Sequence, residues 1–257
     1  NYMKFIRKFL KIFLFLIVIL LLALSWIKIR SLPFESEKPL KVKWEGLFKD
    51  TNYRDVGQSI NQCFGEKIIK PGLLLRSNGW FSGWSCDQVG NPDVIFSLNY
   101  SPEKSENYFC WDSDRNKPMV GVFANPEIQL HDIEFLKTWQ NEKMRQASCR
   151  FFSQILEELI DHQKTLIHCN AGRDRTGAYS AILAAISAEQ NGRLDKKMLE
   201  AIECDYRKTR SLVPDKFGRM QSFIEGIRET STVAGFISQQ CQISPIIIQK
   251  AAASLSY

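Results

Sequence analysis

The chain has 257 residues, 44% of them hydrophobic and 24% charged, which suits one globular domain with an appendage. Its formal charge of +6 comes from residues 1–30, where Lys4, Arg7, Lys8, Lys11, Lys28 and Arg30 stand with no acid. Taking those six from 34 basic residues leaves 28 against 28 acidic ones in the remaining 227 residues, so the rest of the chain is neutral and offers no electrostatic case for nucleic-acid binding.

Ile12 to Ile27 is an uncharged, almost wholly apolar run of 16 residues. As a helix it would span about 24 Å, and Phe9, Leu10 and snorkelling Lys11 and Lys28 extend it toward the thickness of a bilayer. Trp26 suits the interface. Residues 1–30 therefore read as an N-terminal membrane anchor. A cleaved signal peptide is the alternative, with Ala23-Leu24-Ser25 as its small-residue site. The basic residues ahead of the run favour a cytoplasmic N-terminus, which places the rest of the chain on the non-cytoplasmic side. Residues 31–44, with Pro33 and Pro39 among many charges, read as a linker. The folded domain is expected over 45–230, with 231–257 as a C-terminal tail.

The domain opens on Asn52-Tyr53-Arg54-Asp55-Val56-Gly57, followed by Ile69-Lys70-Pro71-Gly72-Leu73-Leu74-Leu75-Arg76-Ser77. Arg54 and Asp55 suit a structural ion pair or turn, and no catalytic role is assigned to them. Asn78 to Pro92, rich in Gly, Ser and Asn, is expected to be a loop. Asp93 to Leu98 reads as a buried strand, and Asn107 to Trp111 as another. Asp112 to Pro126 is polar and turn-rich. From about Asp132 to Asp161, Leu136, Trp139, Ala147, Phe151, Ile155 and Leu159 recur at helical spacing, with a break expected near Gln140–Glu142.

The next stretch is the most informative. In Lys164-Thr165-Leu166-Ile167-His168-Cys169-Asn170-Ala171-Gly172-Arg173-Asp174-Arg175-Thr176-Gly177, apolar and β-branched residues suit a central strand. The Ala- and Ile-rich segment Ala178–Ala188 suits a helix. The loop between them carries Cys169 and, six residues later, Arg175. Successive backbone N–H groups in such a loop form an anion-binding nest, and the helix adds its positive N-terminal end. Arg175 can hold two phosphate oxygens in a bidentate fork. The same field favours Cys169 as a thiolate nucleophile. Thr176 is expected to donate to that thiolate, and Gly172 to allow close approach or positive φ. Leu194–Lys208 and Lys216–Arg228 read as further helices.

Seven cysteines are present. With Cys169 set aside, Cys63, Cys86, Cys110, Cys149, Cys204 and Cys241 could form up to three bridges, with 15 full pairings, or remain buried thiols. No Cys-x2-Cys pair occurs, so neither a zinc site nor any other metal or cofactor is expected.

His-Cys-x5-Arg-Thr-Gly resembles the signature loop of the cysteine-dependent protein tyrosine and dual-specificity phosphatases. Asn52–Gly57 and the Pro-Gly-x-x-x-Arg-Ser stretch ending at Ser77 resemble motifs of a bacterial branch of that superfamily. The branch includes secreted enzymes active on phosphotyrosine and phosphoinositides. Asp205-Tyr206 resembles a family pair, whereas Leu98-Asn99-Tyr100-Ser101-Pro102-Glu103 lacks the Arg of the family's Leu-Arg-Ser-x-x-Glu pattern. The resemblance implies an α/β fold: a small, largely parallel sheet with helices on both faces and the Cys loop at a strand's C-terminal end.

It also implies hydrolysis of phosphate monoesters (phosphotyrosine, phosphoserine or phosphothreonine in proteins, or phosphoinositides) through a phosphocysteine. Cys169 is the nucleophile and Arg175 the clamp. Asn170, Ala171, Gly172, Arg173 and Thr176 bind substrate, and His168 shapes the loop. Two carboxyls compete as general acid: Asp174 within the loop, and Asp132, 37 residues before Cys169, whose other reading is a helix N-cap. Arg173 offers a second cation for a second phosphate, or a salt-bridged side chain. A different class of protein, an inactive phosphate-binding adaptor at a membrane, would keep the nest and lose the chemistry.

Overall fold

The computed structural model of the chain describes residues 13–21, 52–79, 84–98, 109–112, 117–120, 130–210 and 212–257. The strands are β1 (Arg54–Asp55), β2 (Leu74–Asn78), β3 (Trp84–Ser85), β4 (Val94–Ser97), β5 (Phe109–Asp112), β6 (Lys117–Val120) and β7 (Thr165–Cys169). The helices are α1 (13–21), α2 (Val56–Phe64), α3 (Glu142–Ile160), α4 (Asp174–Gln190), α5 (Lys196–Arg207), α6 (Arg219–Arg228), α7 (Val233–Cys241) and α8 (Pro245–Leu255).

Four strands form the main sheet in the order β1-β2-β7-β4. β7 lies between β2 and β4 and runs parallel to both, with Leu166 level with Leu75 on one side and Ile95 on the other. Only β1 is antiparallel. Every residue of β7 is buried, as expected of a strand with neighbours on both edges and a layer on each face. The sheet is therefore small and largely parallel.

Helices flank the sheet as expected, and among the described residues its two faces are covered differently. Alternate residues of a strand face opposite ways. Leu74, Phe96, Ile167 and Cys169 join the large core built with the helices. Leu75, Ile95 and Leu166 join a separate cluster with Cys86, Val89 and Cys110. That second face is covered by a short 3₁₀ helix at Cys86–Val89 and a three-stranded sheet ordered β3-β5-β6. The loop expected at 78–92 and the turns expected at 112–126 contain β3 and β6, two and four residues long and too short for alternation to show, whereas β5 falls on the strand expected at Asn107–Trp111.

α4 is the central helix. Residues 176–188 are buried without interruption, and a helix that is apolar or small all round belongs inside. It contacts β2 and β7 on one side and α2, α5, α6, α7 and α8 on the others. The expected break before α3 is real. A 3₁₀ turn at Leu136–Gln140 ends, and Asn141 then caps α3 by accepting from the Met144 N–H at 3.1 Å. The segment read as a tail, 231–257, instead holds α7 and α8. Their Val233, Phe236, Ile237, Ile248, Ala251 and Leu255 belong to the main core, so these helices are part of the domain.

All six remaining cysteines are paired, as Cys63–Cys204, Cys86–Cys110 and Cys149–Cys241. The first ties α2 to α5, the second ties the small β layer together, and the third ties α3 to α7. Cys169 is the free cysteine.

Of the expected anchor, only 13–21 is described. It is helical, with Phe13 through Leu21 exposed, and nine residues reach only about 14 Å. Among the described residues no helix is long and apolar enough to cross a membrane. The rest of residues 1–30, and the linker at 31–44, lie outside the described residues.

The Cys63–Cys204 bridge closes a segment 141 residues long. Replacing both cysteines by alanine should lower the unfolding free energy by about 2–5 kcal/mol, read as a fall in the urea midpoint. An unchanged midpoint would show that α2 and α5 are held without it.

Candidate active site

The Cys loop leaves the C-terminal end of β7, at the carboxyl edge of the parallel strands where such sheets place their ligands. Cys169 is buried and sits level with Asn78 of β2. Asn170, Ala171, Gly172 and Arg173 then turn into α4, which begins at Asp174. Arg173 occupies the N-cap position and makes no side-chain capping bond to the first turn of α4.

Gly172 has φ +62°, and a Cβ there would lie 2.5 Å from the Ser77 carbonyl oxygen and 2.7 Å from the Asn78 nitrogen. Only glycine combines that left-handed conformation with so close a backbone neighbour.

The carbonyls of the loop are tied away from its inner side one after another. The Gly79 N–H donates to the Asn170 carbonyl at 3.2 Å. Asn52 Nδ2 donates to that of Ala171 at 2.9 Å. Arg76 Nη2 donates to those of Gly172 and Arg173 at 3.0 and 3.3 Å. In a trans peptide the C=O and the following N–H point opposite ways, so these bonds turn the amides of residues 171–174 to the other side.

Arg76 is completely buried, and its Nη1 donates to Asp205 Oδ2 at 2.5 Å. Arg54 Nε donates to Asp205 Oδ1 at 2.7 Å. Burial acts to raise the Asp205 carboxyl, but Arg54 and Arg76 outweigh it and hold it well below the usual carboxylate range. Burial also brings Arg76 down to about 10, which leaves it charged at neutral pH. Arg54 is thus a structural ion-pair residue, though its partner is Asp205. Asp55 caps α2 by accepting from the Gln58 N–H at 2.8 Å.

Asp174 is engaged on all sides. Tyr206 donates to its Oδ1 at 2.5 Å, and Lys216 and Arg173 donate to its Oδ2 at 2.6 and 3.1 Å. Burial raises this carboxyl, yet Lys216, Tyr206 and Arg173 together hold it below its ordinary value. Arg173 is therefore salt-bridged to its neighbour, about a quarter of its side chain remaining exposed.

Asp132 is not the N-cap that its position suggested. It has φ +53°, lies before the 3₁₀ turn, and is 62% exposed beside His131. Glu134, two residues on, is only 3% exposed. Burial raises its carboxyl, and Asp174 and Asp132 add to the rise against Arg219. The structure thus brings the Asp132 segment into electrostatic range of the loop.

Arg175 donates through Nη1 to the Leu98 carbonyl at 3.1 Å, beyond the end of β4. His168 is fully buried, and burial pushes it down to about 3 against the opposing hydrogen bond at the Cys169 backbone, so it is neutral and no acid–base group at neutral pH. Thr176 is buried, and among the described residues its hydroxyl has no hydrogen-bond partner. The expected bond to Cys169 is not formed.

Sequence reading missed Asn52, Arg76 and Asp205 as loop supports, and Lys216, Tyr206 and Glu134 as neighbours of Asp174. The first three stood in stretches already singled out, but only long-range contacts show what they touch. Lys216 and Glu134 carried no local signal. Among the described residues no group of three or more His, Cys, Asp or Glu side chains could hold a metal ion.

A strand, a Cys-x5-Arg loop with outward carbonyls and a buried helix define a phosphatase-type α/β domain. The family model described as "Tyrosine phosphatase family" matches residues 128–256, half of the chain, and includes this loop; the chain belongs to the tyrosine phosphatase family. No curated protein matches it.

Gly172→Ala should cost about 1–3 kcal/mol for the forced left-handed conformation and push the loop off Ser77. Phosphatase turnover should fall more than about tenfold, since small displacements in a positioned site are expensive. Wild-type melting temperature and turnover in this variant would refute the close-approach argument.

Proposed function

We propose that the chain hydrolyses phosphate monoesters, with phosphotyrosine in proteins as the substrate favoured by its family. The observation that carries this reading is the outward tethering of four consecutive loop carbonyls, Asn170 through Arg173, beside Cys169. A loop so held presents amides to an anion.

In the proposed reaction Cys169 Sγ, as thiolate, attacks phosphorus. The bond from phosphorus to the ester oxygen breaks, and the leaving oxygen takes a proton from a carboxylic acid. Arg175 and the loop amides hold the equatorial oxygens, for which Arg175 leaves the Leu98 carbonyl. A water then attacks the phosphocysteine and gives a proton to the carboxylate. The S–P bond breaks, releasing inorganic phosphate and the thiolate.

Asp174 is kept ionised by Lys216, Tyr206 and Arg173, which suits charge placement and disfavours proton donation at neutral pH. The proposed donor is Asp132, exposed at the start of a segment that reaches the loop's electrostatic surroundings through Glu134. Asn170, Ala171, Gly172 and Thr176 are proposed to line the phosphate. Arg173 as a second-phosphate site for phosphoinositides has less support, because Asp174 already neutralises part of its charge.

Assignment to the bacterial secreted branch rests on the motifs at Asn52–Gly57 and Pro71–Ser77. A working place outside the cytoplasm, whether reached by an anchor or by signal cleavage, is supported by the three disulfides, which persist in oxidising compartments.

Hydrolysis of an aryl phosphate in EDTA separates an enzyme from a phosphate-binding adaptor. Wild type should turn over, and Cys169→Ser should lose essentially all activity while keeping its circular dichroism spectrum. Appreciable turnover by that variant would sink the covalent mechanism.

Asp132→Asn and Asp174→Asn should be compared on esters with good and poor leaving groups. Asp132→Asn is expected to lose at least about tenfold more on the poor one, within the 10²–10⁴ range of acid catalysis. If Asp174→Asn alone shows that dependence, the donor is Asp174.

A further inference from the structure

Arg76 has no exposed surface, yet its guanidinium meets three residues from two separate parts of the chain. Nη1 meets Asp205 of α5, and Nη2 meets the carbonyls of Gly172 and Arg173. It reaches the Cys loop from behind, on the side away from where an anion would sit. We propose that Arg76, balanced by Asp205, is a positioning residue for the phosphatase reaction: it turns two loop amides toward the substrate phosphate and supplies a fixed buried cation behind Cys169. The proposal rests on the reading of Cys169 as nucleophile.

Two observations support it. The guanidinium is the one side-chain group among the described residues that ties two consecutive loop carbonyls. Asp205 and the two carbonyls are met by different nitrogens of one planar fork, a spread that the point charge of a lysine does not reproduce. Second, Arg76 stands on β2 level with Ile167, two residues before Asn78, which is level with Cys169, so its fixed charge lies beside the strand that ends at the proposed nucleophile. Other charged or titratable groups around this centre are Arg175, Arg173 and Asp174 of the loop and helix, His168 of β7, and Arg54 behind Asp205. His168 is neutral, and Arg54 spends its Nε on Asp205. Arg76 is therefore the buried cation placed between the carboxylate and the loop.

The two charges make opposite predictions, which a merely structural role would not. Iodoacetamide alkylation of Cys169, the free cysteine, can be followed against pH in full-length wild type, Arg76→Gln, Arg76→Lys and Asp205→Asn. Removing the cation should raise the alkylation midpoint in Arg76→Gln by about one pH unit. Removing the counter-charge should lower it in Asp205→Asn. Arg76→Lys keeps the charge but not the fork, so its midpoint should stay near wild type while kcat on an aryl phosphate falls at least about tenfold with KM changing less.

Alkylation needs no turnover, so these midpoints stand even if wild type hydrolyses nothing, a result that would count against the hydrolase reading alone. Shifts of the same sign in Arg76→Gln and Asp205→Asn, or a midpoint unchanged in whichever of them keeps its native circular dichroism, would overturn the electrostatic role. Wild-type kcat in Arg76→Lys would overturn the orienting one.

Discussion

A loop can offer its amides to an anion only if its carbonyls have partners elsewhere. A peptide unit is rigid, and a buried carbonyl without a partner is costly. In this chain the partners come from three places: a backbone amide at Gly79, a side-chain amide at Asn52 and a guanidinium at Arg76. The guanidinium is the demanding one, since a buried cation needs a counter-charge of good geometry. Asp205 provides it, and Arg54 fills the second carboxylate oxygen. Much of the N-terminal part of the domain is arranged to bring these groups behind the loop.

The same requirement explains the placing of the elements. β2 carries Arg76 and lies directly against β7, so the guanidinium stands beside the strand that ends at Cys169. α5 carries Asp205 and packs against α2 and α4, with the Cys63–Cys204 bridge fixing its distance from α2. Asn52 is itself held through the Arg210 N–H at 3.0 Å, just past α5. The loop is thus braced by the beginning of the domain and by the helix that follows the central one.

A second group of charges sits at the start of α4. Asp174 draws in Lys216 and Tyr206, Glu203 accepts from the Gly218 and Met220 amides at 2.6 and 3.0 Å, and Arg219 reaches Glu134 at 3.3 Å. These contacts join the loop to the α5–α6 connection and to the segment that carries Asp132. Phosphate binding would add negative charge beside Asp174, and its cations are placed to answer that charge.

The strand–loop–helix at 165–190 was legible in sequence because its signals are local. Cys169, Arg175 and the glycine at 172 lie within seven consecutive residues, and the flanking strand and helix have strong patterns of their own. α3 and its break at Asn141 were legible for the same reason, since periodicity and capping act over a few residues. The two-residue β3 and the four-residue β6 were not, because so few positions cannot declare a period. α7 and α8 lacked a distinctive amphipathic pattern and became helices of the domain through their contacts with α3, α4 and each other. The sequence by itself determined the strand–loop–helix that carries Cys169 and Arg175. Only the tertiary structure decided which of 15 cysteine pairings forms, that Asp174 is held ionised, and that Arg76 and Asp205, 129 residues apart, share one buried charge pair. Those outcomes depend on distances in space between residues far apart in the chain, and local sequence carries no measure of such distances.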